Sequence, residues 1–468
     1  MSSSRGLEER ISFRPGLELS SEAGQAILHL GPARIDLGKR GPGVLAALAE
    51  LAGGPVNETD LASVVIDVDG EGAAIGFQML MRRLDVAGLL STCLCDGSRQ
   101  LMSATCDPYR KATLALDSEP NTPLVMSRFV SMRANGGFLR VVSPMSEVTI
   151  TLHELSIASL IASFTKPRAA EDATLACLAG SGPAHVARFL ARYGVLVAFP
   201  SEDRPPSAWW SPEDLQFHRR SRVGYHGDGY GGTYRFEGQF PPLSALPTAG
   251  DPAELAFEFK PVDLGEVESS DPPLTKVIES RKSIREYDEA NPITADQLGE
   301  LLFRTVRVRR QFNDPKEELL DRPVPSGGSI NSIVTYAAVR SCQGIEPGLY
   351  RYDGLRHGLE LVSGDPAGVG ALISAVPLAP GPVAVAPQVV LVFTARFGRV
   401  MWKYESMAYA LILKDLGVIF QSLYLVSTAM GLAPCAQGGG DSSIFAKLAG
   451  LDPLDESSLG EFAIGSIS

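Results

Sequence analysis

Cysteine and histidine are both scarce in this sequence, with six of each among 468 residues. So few cysteines cannot supply the disulfide framework that stabilises small secreted proteins. Cys93 and Cys95 are too close in sequence for the C-x2-C spacing of structural zinc sites, and no histidine cluster accompanies them. The sequence therefore predicts reduced cysteines and no bound metal. The six cysteines are Cys93, Cys95, Cys106, Cys177, Cys342 and Cys435.

Positive charge is also in deficit, because 42 lysines and arginines stand against 54 aspartates and glutamates, a net charge of −12. A surface of this sign repels nucleic acids and anionic membranes. The most apolar stretch, residues 369–395, is broken by four prolines, and the amino terminus lacks the apolar region of a signal peptide. We expect a soluble cytoplasmic protein that binds neither nucleic acid nor membrane.

An internal repeat lies within the first 200 residues. The pattern Arg-x-Leu-x-x-x-Gly-x-Leu occurs at residues 82–90 and again at 188–196. In both copies an amphipathic helix ends at the glycine and a β-prone run follows. Strand-like segments and apolar helices precede each copy in the same order, at residues 26–37 and 44–51 in the first and at 128–152 and 154–164 in the second.

Strands, three helices and a closing strand are the order of a winged-helix domain, so we predict one such domain over residues 1–108 and a second over 109–200. Residues 1–105 carry 9 basic and 13 acidic side chains, which disfavours DNA. The same architecture can hold a peptide as an added strand. We interpret both domains as peptide clamps, and a merely packed helix end is the alternative for each motif. Eight prolines then predict a linker over residues 201–270.

Alternating polar residues mark the start of a C-terminal domain over residues 271–468. If the chain is extended there, Arg281, Ser283 and Arg285 point to one side. Two guanidinium groups and a hydroxyl suit a phosphate, although a solvated basic surface is the alternative. In Pro-Ser-Gly-Gly-Ser at residues 325–329, glycines would let backbone N–H groups approach an anion or a flat ring closely.

A long apolar helix is predicted over residues 407–430. Its internal charged and polar residues exclude a membrane span, so we place it in a large core or a subunit interface. Lys403 lies just before this helix, where burial would lower its pKa and free the amine to act as a base. A lysine that reaches solvent from a helix end is the alternative interpretation.

In this order the motifs resemble those of the SagB-type, McbC-like flavin oxidases of the nitroreductase superfamily. The resemblance covers residues 272–468, and the two upstream units look like the peptide-clamp domains of cyanobactin-type azoline oxidases. It implies an α+β fold with a C-terminal nitroreductase-like FMN domain, in which a central sheet carries long buried helices, preceded by two winged-helix-like peptide-clamp domains. The motifs are S-R-K-S-I-R-E-Y, P-S-G-G-S, G-L-Y-R-Y-D, K-Y-E-S with the long helix, and G-L-A-P-C-A-Q-G-G-G-D.

The resemblance also implies a homodimer with FMN at the subunit interface and each flavin touched by both chains. Lys403 and Tyr404 match the lysine–tyrosine pair that serves proton abstraction in azoline oxidases. The residues implied to contact FMN are Arg281, Lys282, Ser283 and Arg285 near the phosphate, Ser326, Gly327 and Ser329 along the flavin, and Gln437 and Gly438 near N5.

The implied reaction removes two electrons and two protons from azoline rings of a ribosomally made peptide and leaves thiazole or oxazole. A cyclodehydratase would make the azoline. Asn331 stands where the family has a tyrosine, and the sequence ends without the family's basic tail, so the phosphate must rely more on residues 281–285. Two alternatives remain: an NAD(P)H-dependent flavin oxidoreductase acting on a small molecule, against which the clamps weigh, and a non-catalytic peptide-binding scaffold.

Overall fold

The computed structural model describes residues 6–31, 33–107, 122–223, 229–247, 254–376 and 386–468. The chain divides into two compact units, residues 1–228 and 229–468. Each unit combines helices with antiparallel sheets and has apolar clusters of its own, as the predicted α+β class requires.

The first unit begins with strands and alternates between sheets and helices. Its strands are β1 (Glu8–Phe13), β2 (Leu17–Glu22), β3 (Gln25–Leu30), β4 (Ala33–Lys39), β5 (Leu90–Asp96), β6 (Arg99–Cys106), β7 (Leu124–Met126), β8 (Ser131–Asn135), β9 (Phe138–Val142), β10 (Val148–Leu152) and β11 (Leu196–Ala198). Its α-helices are α1 (Pro42–Gly53), α2 (Glu58–Asp69), α3 (Glu71–Val86), α4 (Ser156–Ser163), α5 (Gly182–Arg192) and α6 (Pro212–Arg220).

Both copies of the repeated motif have the local structure that the sequence predicts. Helices α3 and α5 each lead into a glycine with left-handed backbone, Gly88 at φ 66° and Gly194 at φ 75°. The leucines of the two motifs, Leu84 and Leu190, are buried in the core. Strands β5 and β11 follow two residues after these glycines, because the left-handed residue ends the helix and redirects the chain.

One sheet extends through both repeats. Its six strands have the order β1-β5-β6-β10-β9-β8, and β6 of the first repeat pairs antiparallel with β10 of the second. The predicted boundary between residues 108 and 109 lies outside the described residues, but backbone hydrogen bonds join the segments on either side of it. The repeats therefore form one compact unit where two consecutive domains were expected. A separate three-stranded sheet, β2-β3-β4, has β4 at one edge.

The second unit is built on one large sheet. Its strands are β12 (Gly231–Gly232), β13 (Phe257–Glu258), β14 (Arg310–Asn313), β15 (Glu318–Asp321), β16 (Ile333–Val339), β17 (Gly348–Asp353), β18 (Gly358–Ser363), β19 (Val389–Arg396), β20 (Tyr404–Glu405), β21 (Leu432–Ala436) and β22 (Glu456–Ser466). Its α-helices are α7 (Leu264–Ser270), α8 (Leu274–Ser280), α9 (Ala295–Val306), α10 (Pro366–Ser374), α11 (Phe397–Lys403), α12 (Ala408–Ala429) and α13 (Ser442–Ala449).

The large sheet has the order β13-β18-β17-β16-β19-β22-β21 and is covered on both faces. Strand β16, Ile-Val-Thr-Tyr-Ala-Ala-Val, is buried at every position, as a β-branched and aromatic run between two helical layers should be. On β19, Phe393 packs with α9 and α12, whereas Val392 packs with α10 and α13. Adjacent side chains thus face opposite layers.

The linker predicted over residues 201–270 is not a single connecting segment. Residues 201–223 include helix α6 and lie in the first unit, whereas 229–247 and 254–270 lie in the second. There β12 pairs with β20, the strand formed by Tyr404 and Glu405. The prolines interrupt regular structure, as expected, but they do not free this part of the chain from the fold.

Helix α12 corresponds closely to the long apolar helix predicted from the sequence. Within the described ranges it is the one helix with the length and apolarity of a membrane span, and 39% of its most apolar 18-residue stretch is buried. The exposed residues are Tyr409, Lys414, Gly417, Val418 and Gln421. The last four follow three- and four-residue steps, so they lie on one face of the helix.

Candidate active site

The loop at residues 326–331 has an unusual backbone, because two of its non-glycine residues adopt conformations that favour glycine. Gly328, Ser329 and Asn331 all have left-handed φ values, of 64°, 58° and 49°. Such conformations are uncommon for residues other than glycine and concentrate at functional sites. Asn331 replaces the family tyrosine here, and its buried amide donates to the carbonyl oxygens of Leu320, at 2.6 Å, and Ser329, at 3.3 Å. The asparagine therefore stabilises the loop from within.

Asp415 of helix α12 anchors the start of this loop. Its carboxylate accepts hydrogen bonds from the Ser326 hydroxyl at 2.8 Å and from the Gly327 N–H at 3.1 Å. Burial raises the pKa of Asp415, and these two hydrogen bonds partly offset that rise. An added Cβ at Gly327 would overlap the Leu411 side chain. The loop is therefore packed directly on α12.

The predicted catalytic pair lies against the same loop. An added Cβ at Gly328 would lie 2.7 Å from the Tyr404 hydroxyl and 3.3 Å from Lys403 Nζ. The glycine thus lets two polar side chains approach the backbone closely. The structure brings Lys403 and Tyr404 together with Ser326, Gly327 and Ser329, although about 75 residues separate them in sequence.

Lys403 differs from the sequence expectation in two respects. It ends the short helix α11, and strand β20 separates it from α12. Its Nζ lies 2.8 Å from Oε1 of Glu317, whose side chain is 1% exposed. Burial lowers the pKa of Lys403, but the hydrogen bond and negative charge of Glu317 outweigh burial and raise it above the usual lysine value. The predicted fall in pKa is wrong, and Lys403 is an ammonium at neutral pH.

Aromatic rings from the former linker region enclose this lysine. The ring centroids of Tyr234 and Tyr404 lie 5.8 and 5.7 Å from Lys403 Nζ. The Tyr234 N–H donates to the Lys403 carbonyl oxygen, and the Tyr234 ring packs edge-on against Trp402. Sequence reasoning missed Tyr234, although its glycine–aromatic surroundings, Gly-Tyr-Gly-Gly-Thr-Tyr, were visible.

Arg281 and Ser283 meet at a second point of α12, the side chain of Tyr424. The Arg281 guanidinium lies 5.2 Å from the Tyr424 ring centroid, and the Ser283 and Tyr424 hydroxyls are 2.8 Å apart. The Tyr424 hydroxyl also accepts a hydrogen bond from the Ala436 N–H at 2.8 Å. Tyr424 thus joins the basic segment to the glycine-rich loop, a role that the sequence did not indicate.

Lys282 and Arg285 are exposed beside these residues. Across the described residues, neither they nor Arg281 has a carboxylate partner. The backbone here is extended, and the Ile284 N–H donates to the Pro434 carbonyl oxygen. Three cations without an internal counter-charge, together with a serine hydroxyl, form a donor set that suits a phosphate group.

The loop after β21 holds the last predicted flavin contacts. Gln437 is buried, and its backbone N–H donates to the Glu461 carbonyl oxygen at 2.9 Å. Its side-chain amide donates to the Cys435 carbonyl oxygen at 3.2 Å. Gly438 has open space where a Cβ would stand. An added Cβ at Gly440 would overlap the Glu461 carboxylate, whose pKa is raised by burial. Sequence reasoning missed Glu461.

The predicted flavin contacts thus form two groups on α12. One surrounds Asp415 and the other surrounds Tyr424, nine residues later, which is about 13 Å along a helix axis. Across the described residues, no three histidine, cysteine or acidic side chains gather as a metal site would require, and none of the six cysteines forms a disulfide.

Two family models match separate parts of the chain. Residues 278–466 match the Nitroreductase family, and residues 124–227 match the cyanobactin oxidase ThcOx. A Methanocaldococcus jannaschii protein named as a nitroreductase is 28% identical over 182 residues, which cover 39% of this chain and 84% of that protein.

Among solved structures, a nitroreductase-named protein of Ralstonia eutropha is 25% identical, with a TM-score of 0.36 and coverage of 49% of this chain and 98% of that one. A chain of the Escherichia coli microcin synthetase McbBCD complex with truncated pro-MccB17 is 20% identical, with a TM-score of 0.35 and coverage of 54% and 91%. The two family matches confirm the predicted resemblance to SagB-type and McbC-like proteins of the nitroreductase superfamily, and together they indicate that the chain is an oxidoreductase.

Proposed function

We propose that this protein is an FMN-dependent azoline oxidase that acts on a ribosomally made peptide. The observation that carries the proposal is the contact of Lys403 and Tyr404 with the loop at residues 326–331, inside a domain of the nitroreductase family. The Lys403 ammonium and the Tyr404 hydroxyl place two polar groups at this loop, and these groups would bind and orient the azoline ring as it loses its proton. The cyanobactin-oxidase match over residues 124–227 supports the same substrate class.

The residues present fit FMN. Arg281, Lys282 and Arg285, with the Ser283 hydroxyl, would hold its phosphate, because these cations have no carboxylate partner among the described residues. Ser326, Gly327 and Ser329, and separately Gln437 and Gly438, would line the flavin. When bound, FMN accepts the two electrons that leave the azoline ring as it becomes aromatic. The protein's own residues bind the peptide, align the ring and hold the proton.

A homodimer accounts for the two separate groups of flavin contacts. Because they lie on different parts of α12, a flavin at a subunit interface would meet one group from each chain. The exposed face of α12 that includes Val418 supports this arrangement, since an exposed apolar side chain gains stability when a second copy covers it.

The first unit is proposed to hold the precursor peptide. Strand β4 is an edge of its sheet and can accept an added strand. Helix α3 of the same unit presents two exposed apolar side chains to solvent, Ile75 and Met79, which are 69% and 55% exposed and suit contact with a bound peptide. A cavity of about 470 Å³, lined by residues of both repeats that include Leu30 and Phe138, offers a further place for peptide side chains. A cyclodehydratase is the partner that would supply the azoline.

Anaerobic mixing of the purified, flavin-loaded protein tests this proposal. An azoline-containing peptide should bleach the flavin absorbance, and mass spectrometry should show a loss of two hydrogens per ring. Bleaching by NADPH but not by the peptide would favour the alternative, a nitroreductase that acts on a small molecule, which the Methanocaldococcus jannaschii relative supports. A protein that binds no flavin would favour the scaffold alternative.

A further inference from the structure

Glu317 occupies an unusual position for a glutamate. It lies in the turn between β14 and β15, and its carbonyl oxygen accepts a hydrogen bond from the Asp314 N–H at 2.9 Å. Acidic side chains in hairpin turns are ordinarily solvated, but the Glu317 side chain is 1% exposed. The neighbouring Lys316 is exposed, so burial is particular to Glu317.

The buried carboxylate has one charged contact in the described part of the chain. Its Oε1 accepts a hydrogen bond from Lys403 Nζ at 2.8 Å, and its Oε2 has no partner among the described residues. A buried carboxylate with so few partners is costly unless a cation compensates it. The Lys403 ammonium supplies that compensation, and neither side chain can change its charge without affecting the other.

The other groups around this pair form no further ion pair with Lys403 among the described residues. Tyr404 and Tyr234 present rings to Lys403, and Lys316 Nζ lies 4.1 Å from the centroid of the Tyr234 ring. Glu405 is directed to Thr233 and Arg235.

Arg399 is the other cation near Glu317, and its charge acts on this carboxylate. However, its guanidinium donates to the backbone oxygens of Leu243, Glu318 and Ile330. Lys403 therefore depends on Glu317 alone for a carboxylate contact among the described residues.

We propose that Glu317 is a positioning residue that fixes Lys403 Nζ beside the loop at residues 326–331 and keeps it as an ammonium, so that Lys403 serves the reaction as a cationic hydrogen-bond donor and not as a free amine base. The inference rests on the proposed function for the reaction it serves. The charge state of Lys403 itself can be measured without any substrate.

The sign of the expected change follows from the two opposing effects on Lys403. In the native protein Glu317 raises the pKa of Lys403 above the ordinary lysine value, so the ammonium persists through neutral and mildly alkaline pH. In Glu317→Gln the carboxylate is lost and burial remains, so the pKa of Lys403 falls. The variant keeps the size and hydrogen-bonding oxygen of the side chain, which limits disturbance of the fold.

Amine acetylation measured against pH tests the charge state directly. Acetic anhydride reacts with the free amine, and mass spectrometry of the peptide that contains Lys403 gives its reaction rate. We expect the pH midpoint for Lys403 to be lower in Glu317→Gln than in the native full-length protein. Glu318→Gln is the matched control, because it removes one charge at the next residue and should leave the midpoint in place. An unchanged midpoint in correctly folded Glu317→Gln overturns the proposal.

The pH profile of turnover then tests the role in the reaction. In Glu317→Gln we expect kcat to fall by up to about 10²-fold, because Lys403 is no longer fixed. We also expect the loss of activity at alkaline pH to begin at a lower pH than in the native enzyme. Glu317→Asp keeps the charge and should keep the alkaline limb of the native enzyme. Higher turnover of Glu317→Gln at neutral pH would overturn the proposal, since it would show that Lys403 acts as a free amine. If the pH midpoint for acetylation of Lys403 is lowered in Glu317→Gln but no form of the protein oxidises an azoline, the result would instead count against the proposed function.

Discussion

Tyr424 is the side chain on which two predicted flavin-contacting segments meet. It contacts Arg281 through its ring and both Ser283 and Ala436 through its hydroxyl. The ring supports the guanidinium without neutralising it, so the positive charge remains available to a phosphate. The ring contact thus holds Arg281 in place, whereas Lys282 and Arg285 are exposed.

Replacement of Arg281 by alanine should weaken FMN binding. A charge-assisted hydrogen bond contributes about 1.5–3 kcal/mol, which corresponds to a loss of roughly tenfold to a hundredfold in affinity. Dialysed Arg281→Ala should therefore contain little flavin by absorbance. Lys276→Ala, which removes an exposed cation outside the proposed phosphate segment, is the control and should retain its flavin. Full flavin content in Arg281→Ala would contradict the assignment.

Replacement of Lys403 by alanine should lower turnover and spare flavin content. Groups that handle the proton of a reacting centre contribute about 10²–10⁴-fold, and Lys403 lies away from the proposed phosphate segment. Single-turnover bleaching of the flavin by an azoline peptide measures the effect. Tyr404→Phe tests the hydroxyl separately: a mild loss means that it tunes its neighbours, and a loss as large as that of Lys403→Ala means that it accepts the proton.

At the scale of elements, local patterns predict helix α9 well. Thr294 accepts a hydrogen bond from the Gln297 N–H, and the Gln297 side chain accepts one from the Thr294 N–H. A threonine followed three residues later by glutamine is the sequence pattern of a capping box, and the structure has one here. The helix then packs Leu298 and Leu302 against the large sheet.

Loss of this cap should reduce stability and leave the site intact. Thr294→Ala should lower the free energy of unfolding by about 0.5–2 kcal/mol, because the Gln297 N–H loses its acceptor. Thr294→Ser, which keeps the hydroxyl, should be close to the native protein. Chemical denaturation followed by circular dichroism gives both values, and equal stability of all three proteins would contradict the prediction.

Residues within an element were predictable where their neighbours in sequence decide their role, as for the cap of α9 and the glycines of the repeat. Glu317, Tyr424 and Glu461 were not, because their roles depend on partners far away in sequence. The pKa of Lys403 was predicted in the wrong direction for the same reason. The apolar neighbours of Lys403 were visible, whereas the buried carboxylate comes from a turn 86 residues earlier.

At the scale of the whole molecule, helix α12 links the proposed flavin contacts to the proposed subunit interface. Its exposed face includes Val418, which is 37% exposed, between the levels of Asp415 and Tyr424. A second copy packed on this face would cover both contact groups at once. Association and flavin binding should therefore be lost together.

A charge on this face should separate the subunits. Val418→Glu should give a monomer in analytical ultracentrifugation and a colourless protein, because an unpaired carboxylate would be buried by association. Leu454→Glu, the same kind of change at a position that is 85% exposed, is the control and should remain dimeric and yellow. A dimeric, flavin-containing Val418→Glu would remove α12 from the proposed interface.

The six-stranded sheet through both repeats restricts how the duplicated unit can be taken apart. Strand β6 lies between β5 and β10, so excision of the first repeat would leave β10 with a bare edge, and excision of the second would leave β6 with one. Bare edges recruit strands from other molecules and promote aggregation. Gene fusions and truncations that aim to transfer peptide recognition to another enzyme should therefore carry residues 1–228 whole, since neither half is a transferable cassette.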